Sequence, residues 1–241
     1  MNDRIVFVFD LDGTILDSFN FFKKHAATVI AKFKIKADEL IFVELQKELI
    51  ELSAGKNSKI LIFKLINHAC RKLQLGPIAR IRFFVYLKKL YKDNIDNLPC
   101  VPETFDVFKM LKASGHFVSI LTTSSMKEFD EKMRNKQDIK ALIDAVVVRD
   151  EVTRLKPDPE GLYLILSRLK LPRSSNVVVI GDMIHDIKCG INIEGISIGV
   201  LTGVNNRDEL TRAGASLILD SIANLPSCMP QIRDLLIKNN K

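Results

Sequence analysis

Residues 5–14 read Ile-Val-Phe-Val-Phe-Asp-Leu-Asp-Gly-Thr, an apolar run that ends abruptly in two carboxylates one residue apart. Ile5 to Phe9 are all β-branched or aromatic, the composition of a strand buried on both faces. Asp10, Asp12 and Gly13 then break that pattern. In an open α/β sheet, ligands bind just outside the carboxyl ends of the strands. Two acids set there repel one another and lose hydration, so a cation or a catalytic task is the expected compensation. The plainer reading is a turn at Asp12-Gly13 with Asp10 as its cap.

The rest of the chain decides between these readings. From Glu103 onward it alternates strand and helix. Strands are expected at 116–121, 145–148, 177–180, 196–200 and 216–219. Helices are expected from Pro102 to about Ser114, and at 127–135, 158–169, 184–193 and 207–213, with a last one from Leu225. That alternation gives a parallel sheet covered on both faces, and the strand at 5–9 belongs to it. Residues 17–95 read differently. Phe19, Phe22, Ala26, Val29, Ile30 and Phe33 recur at helical spacing, and further helical stretches follow at 40–52, 59–75 and 79–91. The sequence Ser53-Ala-Gly-Lys-Asn-Ser58 reads as a loop, and Gly76-Pro77 stops the third stretch. This helical block is therefore an insertion after the first strand.

Three more strand ends carry polar residues. Val118–Leu121 runs into Thr122-Thr123-Ser124-Ser125. Arg154-Leu155-Lys156-Pro157 follows the short strand at Val146 and is expected to begin a helix. Val177–Ile180 runs into Gly181-Asp182-Met-Ile-His-Asp186. Asp182 and Asp186 are four apart across a strand-to-helix turn, so both carboxylates can face one point.

Composition narrows the classes. At 241 residues with 47% hydrophobic and 27% charged side chains, the chain is globular. No apolar run reaches the length of a membrane span, so no membrane partner is expected. Met1 to Arg4 lead straight into a strand without the shape of a signal peptide. Cys70, Cys100, Cys189 and Cys228 lack metal-ligand spacing and read as reduced thiols in a cytoplasmic protein. The net charge of +7 is uneven: residues 17–99 hold 16 Lys or Arg against 8 Asp or Glu, and the remainder holds 20 against 21. The cationic insert favours an anionic substrate, or nucleic acid, through long-range attraction. Nucleic acid is the weaker expectation, because there is no Trp, only three Tyr and no nucleic-acid motif. Nothing in the sequence speaks to oligomeric state.

Taken in order, Asp10-Leu-Asp-Gly-Thr14, the strand-end Thr122, Lys156-Pro157 and Gly181-Asp182-x-x-x-Asp186 resemble the four motifs of the haloacid dehalogenase-like phosphohydrolases. The general layout is most similar to the phosphoglycolate phosphatase-like group. The resemblance implies an α/β fold with a Rossmann-like core, residues 1–16 and 100–241. An all-helical cap of the C1 type, residues 17–99, is inserted after the first strand. It implies Mg2+ held by the Asp10 carboxylate, the Asp12 backbone carbonyl and Asp182, with Asp186 in support. Asp10 is then the nucleophile on phosphorus and Asp12 the general acid and base. Thr122 and Lys156 hold phosphoryl oxygens, joined by backbone N–H groups near Leu11, Asp12 and Thr123. Dehalogenating members attack carbon and do not need an acid two residues on, so Asp12 favours phosphoryl transfer.

The expected substrate is a small phosphorylated metabolite. Phosphosugar mutases share these acids and this cap, and are the alternative within the family. A polyanion binder using the basic insert is the alternative of another class. In the cap, Gly55-Lys56-Asn57-Ser58 is the candidate specificity loop, with Lys56 meeting a carboxylate or second phosphate on the substrate. Hinges are expected near 16–18 and 97–102.

Overall fold

The computed structural model describes residues 4–36, Glu44, Leu45, Glu48 and 67–239. Six parallel strands form one sheet in the order β3-β2-β1-β4-β5-β6. They are β1 (Val6–Phe9), β2 (Phe117–Leu121), β3 (Ala145–Val147), β4 (Val177–Gly181), β5 (Ile196–Val200) and β6 (Leu217–Leu219). β1 lies at the centre, with Phe9 in register with Ile120 of β2 on one side and Ile180 of β4 on the other. The chain builds outward from β1 to β3 and then crosses to start again at β4. That reversal places the crevice of an open α/β sheet at the ends of β1 and β4.

Alternation along the strands sorts the two faces, because successive side chains point to opposite sides. Phe7 and Phe9 join Ile120 and Ile180 in one core. The helices Thr104–Ala113, Met126–Met133 and Leu225–Asn239 cover it. Their Phe108, Phe129 and Ile232 pack there, with the Phe9 and Phe108 ring centroids 4.9 Å apart. Val6 and Val8 face the other way with Val177 and Val179. The helices Glu160–Arg168 and Ile184–Ile191 lie on that side, through Leu162, Ile165 and Cys189.

Some boundaries differ from the sequence expectation. The helix expected from Pro102 begins at Thr104, because Glu103 adopts a left-handed conformation with φ 61°. The Thr104 hydroxyl then donates to the Val101 carbonyl at 2.7 Å. Lys156-Pro157 does not begin a helix; it lies in a loop, and the helix starts at Glu160. Gln137–Lys140 adds a helical turn that the pattern did not signal.

Between β1 and β2 the chain makes the helices Ser18–Phe33 and Pro77–Lys92. They share a separate apolar cluster of Val29, Ile35, Leu45, Cys70, Leu73, Leu75 and Phe83. Phe33 and Phe83 meet there edge to face at 5.1 Å. The departing and returning chains are tied together at the base. Asp17 N–H donates to the Pro99 carbonyl at 2.9 Å, Val101 N–H to the Ile15 carbonyl at 2.8 Å, and Leu16 bridges Cys100. Lys56 and its loop lie outside the described residues. Among the described residues no helix is long and apolar enough to cross a membrane. All four cysteines are free.

Candidate active site

β1 delivers Asp10 to the crevice as its first residue beyond the strand, and Asp10 N–H still donates to the Ile180 carbonyl of β4 at 2.8 Å. β4 delivers Asp182, and the helix that follows it delivers Asp186 from its first turn. All three acids are buried, with carboxylate oxygens within 4.8 Å of one another. Lys156 reaches in from the loop after β3. Its Nζ donates to Asp10 Oδ1 at 2.5 Å, to Asp186 Oδ1 at 2.6 Å and to the Leu121 carbonyl at 3.0 Å. Three acids and one ammonium thus form the floor of the site.

Electrostatics follow from that count. Burial raises the Asp10 carboxyl to about 7; the Lys156 ammonium opposes the rise, and the Asp186 and Asp12 charges add to it. Asp182 is raised well above the usual carboxylate range by burial, then by the charges of Asp10 and Asp186. Burial works against the charged form of Lys156, but Asp10 and Asp186 outweigh it and hold the lysine above its ordinary value.

Asp12 lies two residues on and in a different setting. Its Oδ2 accepts from Lys132 Nζ at 2.5 Å and from the Ser124 hydroxyl at 3.3 Å, while Ser124 Oγ also accepts from Lys132 at 2.8 Å. Lys132 is buried on the helix Met126–Met133. Ser125 and Glu128 close a capping box at the start of that helix. Burial acts against the Lys132 charge, and Asp12 overcomes it, so the lysine is also held above its usual range.

Two loops fix the walls. Gly13 takes φ +81°, and a Cβ there would stand 2.6 Å from Asp182 Oδ2. On the opposite side, a Cβ on Gly203 would overlap the same carboxylate. Val204 N–H donates to Asp182 Oδ2 at 2.8 Å, and Thr202 ties the two loops with a hydroxyl bond to the Gly13 carbonyl at 2.6 Å. The cavity between them, about 130 Å³ and open to solvent, is lined by Asp10, Asp12, Ser18, Phe19, Thr123 and Asp182 among others. Thr123 is exposed to it. Thr122 is buried alongside, next to Lys156, and its Oγ1 accepts the Ser124 N–H at 3.1 Å.

The structure therefore brings together Asp10, Asp12, Thr122, Thr123, Lys156, Asp182 and Asp186. The sequence reading did not assign Lys132, Ser124 or the 202–204 loop. Lys132 stands three residues after Phe129 on the buried side of its helix, but the charges around it mask that spacing in the sequence. The floor fits a hard divalent cation such as Mg2+, since it offers closely spaced carboxylate oxygens whose mutual repulsion a single lysine only partly offsets.

Similarity to known proteins agrees with this geometry. Residues 7–200 match the family model of the haloacid dehalogenase-like hydrolases. The phosphonoacetaldehyde hydrolase of Parabacteroides distasonis is 28% identical over 171 residues, covering 61% of this chain and 64% of that enzyme. Pyrophosphatase PpaX of Listeria welshimeri is 25% identical over 225 residues, covering 90% of this chain and 93% of the relative. A crystal structure described as a predicted phosphoglycolate phosphatase, from Haemophilus somnus, superposes with a TM-score of 0.72 at 19% identity, covering 94% of this chain and 98% of that one. With four-fifths of its length, residues 7–200, matched by one family model, the chain belongs to the haloacid dehalogenase-like hydrolases.

Proposed function

We propose that the protein is a magnesium-dependent phosphatase of small, phosphoglycolate-like phosphorylated metabolites that works through an aspartyl-phosphate on Asp10. The observation that carries this reading is the contrast between two carboxylates on one loop. Asp10 belongs to the acid-rich floor, whereas Asp12 is held by a lysine and a serine, and both line the same cavity. Paired acids in different environments are what a nucleophile and a proton donor require.

A phosphate monoester is anionic, so its site must supply positive charge and placement. Bound magnesium supplies charge that neutralises the crowded carboxylates and polarises the phosphoryl oxygens. Asp10, the Asp12 carbonyl and Asp182 would hold the ion, with Asp186 in support. With its proton displaced, the Asp10 carboxylate attacks phosphorus and forms a P–O bond. The bond to the leaving oxygen breaks, and Asp12 delivers a proton to that oxygen. Asp12 then accepts a proton from water as the water attacks phosphorus. The Asp10–phosphorus bond breaks, phosphate departs and Asp10 is a carboxylate again. Thr122, Thr123, Lys156 and the backbone N–H groups near Leu11, Asp12 and Thr123 hold the phosphoryl oxygens. The hydrolases among the relatives favour water over a second sugar hydroxyl as the final acceptor.

The helical insert, residues 17–99, acts as the cap. Ser18 and Phe19 at its start line the cavity, and its excess of Lys and Arg draws anions to the entrance. Lys56 remains the candidate contact for the part of the substrate remote from phosphorus. Magnesium should support hydrolysis of para-nitrophenyl phosphate, and a panel of small phosphate esters should then rank the substrates. Full turnover after exhaustive chelation would overturn the reading.

A further inference from the structure

We infer that Lys132 is a positioning residue for the general acid: with Ser124 it holds the Asp12 carboxylate in the orientation from which the leaving oxygen is protonated. The inference rests on the reading of Asp12 as that acid and adds to it two groups outside the family's motifs.

The geometry is specific. Lys132 spends a buried ammonium on one carboxylate oxygen and one hydroxyl, at 2.5 Å and 2.8 Å. Ser124 closes the triangle at 3.3 Å. A carboxylate on a loop has free rotation about its side-chain bonds; two convergent donors remove that freedom and fix which oxygen faces the cavity. The support is itself braced. Lys136 Nζ donates to the Lys132 carbonyl at 2.8 Å and to the Asp96 carbonyl at 3.3 Å, tying this helix to the 3-10 turn Ile95–Asn97 where the chain returns from the insert. Arg134 faces the Asp96 carboxylate at 3.6 Å. Tyr91, from the insert's helix Pro77–Lys92, stands with its ring centroid 6.0 Å from the Lys132 ammonium. Lys132 differs in this from Lys156, whose bonds go to Asp10, Asp186 and the Leu121 carbonyl.

Leaving groups test the inference. The value of kcat/KM covers events up to departure of the leaving group, so it reports protonation of that oxygen and omits the later attack of water. Substituted phenyl phosphates, graded by the acidity of the phenol released, vary the need for a proton while keeping size constant. Asp12→Asn should lose most on the least acidic phenol and least on para-nitrophenol. Lys132→Met should steepen the same dependence, with a loss about ten-fold larger on phenyl than on para-nitrophenyl phosphate, a fraction of what a general acid contributes. The double variant Asp12→Asn/Lys132→Met should be within about two-fold of Asp12→Asn, since groups acting in series do not add.

Ser124→Ala removes the hydroxyl between the same two groups without unpairing a charge. It should show the same selective loss, and it carries the test if Lys132→Met does not fold. A flat profile for the Lys132 and Ser124 variants beside a steep one for Asp12→Asn overturns this inference alone, as do multiplicative losses in the double variant. A flat profile for Asp12→Asn itself overturns the assignment of the acid, and this inference with it.

Discussion

The floor and the Asp12 corner lie on the same loop, yet they are balanced differently. The floor sets three buried acids against Lys156, so it is short of positive charge once their protons leave. The corner sets one acid against Lys132 and is neutral as it stands. A region left unbalanced invites a cation, whereas a balanced one keeps its geometry without help. Two lysines of the same chemistry thus stand in unlike settings: Lys156 limits repulsion among three buried acids, and Lys132 holds a single carboxylate.

The most damaging way to break this contrast is to alter Asp10, the proposed nucleophile. Asp10→Asn should lower turnover by about 10⁴-fold or more and abolish trapping of phosphate on the protein, as measured by rapid quench with labelled substrate. Asp12→Asn should follow, with kcat/KM for phenyl phosphate down by about 10²–10⁴-fold. Removing the ammonium of the floor should act on the fold. Lys156→Met leaves buried acids unpaired and should destabilise the metal-free protein by about 3–5 kcal/mol, read from denaturant melts, with magnesium restoring part of the loss.

A gentler test changes pH alone. The folded, metal-free protein keeps protons on Asp10, raised to about 7, and on Asp182, also raised, while the unfolded chain releases its own near pH 4. Between those limits the folded state binds more protons. Its melting temperature in chelator should therefore fall as pH rises from about 4 through about 7, and magnesium should flatten the slope. The smallest effect sharpens the distinction. If Asp12 meets the metal through its carbonyl, Asp12→Asn should shift magnesium affinity by no more than about three-fold in calorimetry, about 0.7 kcal/mol. A loss as large as that of Asp182→Asn would merge the two regions into one.

What could be read from the sequence divides along the same line. The floor was legible because its acids stand at strand ends, where an apolar run stops and a carboxylate has no structural reason to follow. Asp10 and Asp182 announced themselves by that break, and Asp186 by its four-residue spacing from Asp182 across the turn into a helix. The corner was not legible, because Lys132 sits in Met126-Lys-Glu-Phe-Asp-Glu-Lys-Met133, where a lysine among alternating charges reads as part of a solvated face. Its partner is 120 residues away, and only the pairing of β1 with β2 brings the two together. The sheet was legible for the opposite reason: strand composition is local, and Val177 to Ile180 needs no distant partner to look buried. The start of the helix at Thr104 was missed because Glu103, which tolerates its left-handed backbone only in this setting, carries no such signal.

The knot of backbone bonds at the base of the insert has a consequence for the chain's entropy. Asp17 meets Pro99 and Ile15 meets Val101, so everything between is a loop already closed by the core's own hydrogen bonds. Closing such a loop costs only about 0.6 kcal/mol more for each doubling of its length. The sheet is therefore nearly indifferent to how many residues the insert holds, and selection can lengthen, shorten or replace the insert with little change in the stability of the catalytic core. The base acts as a socket: the chemistry stays beneath it, and what is plugged in above is free to diverge.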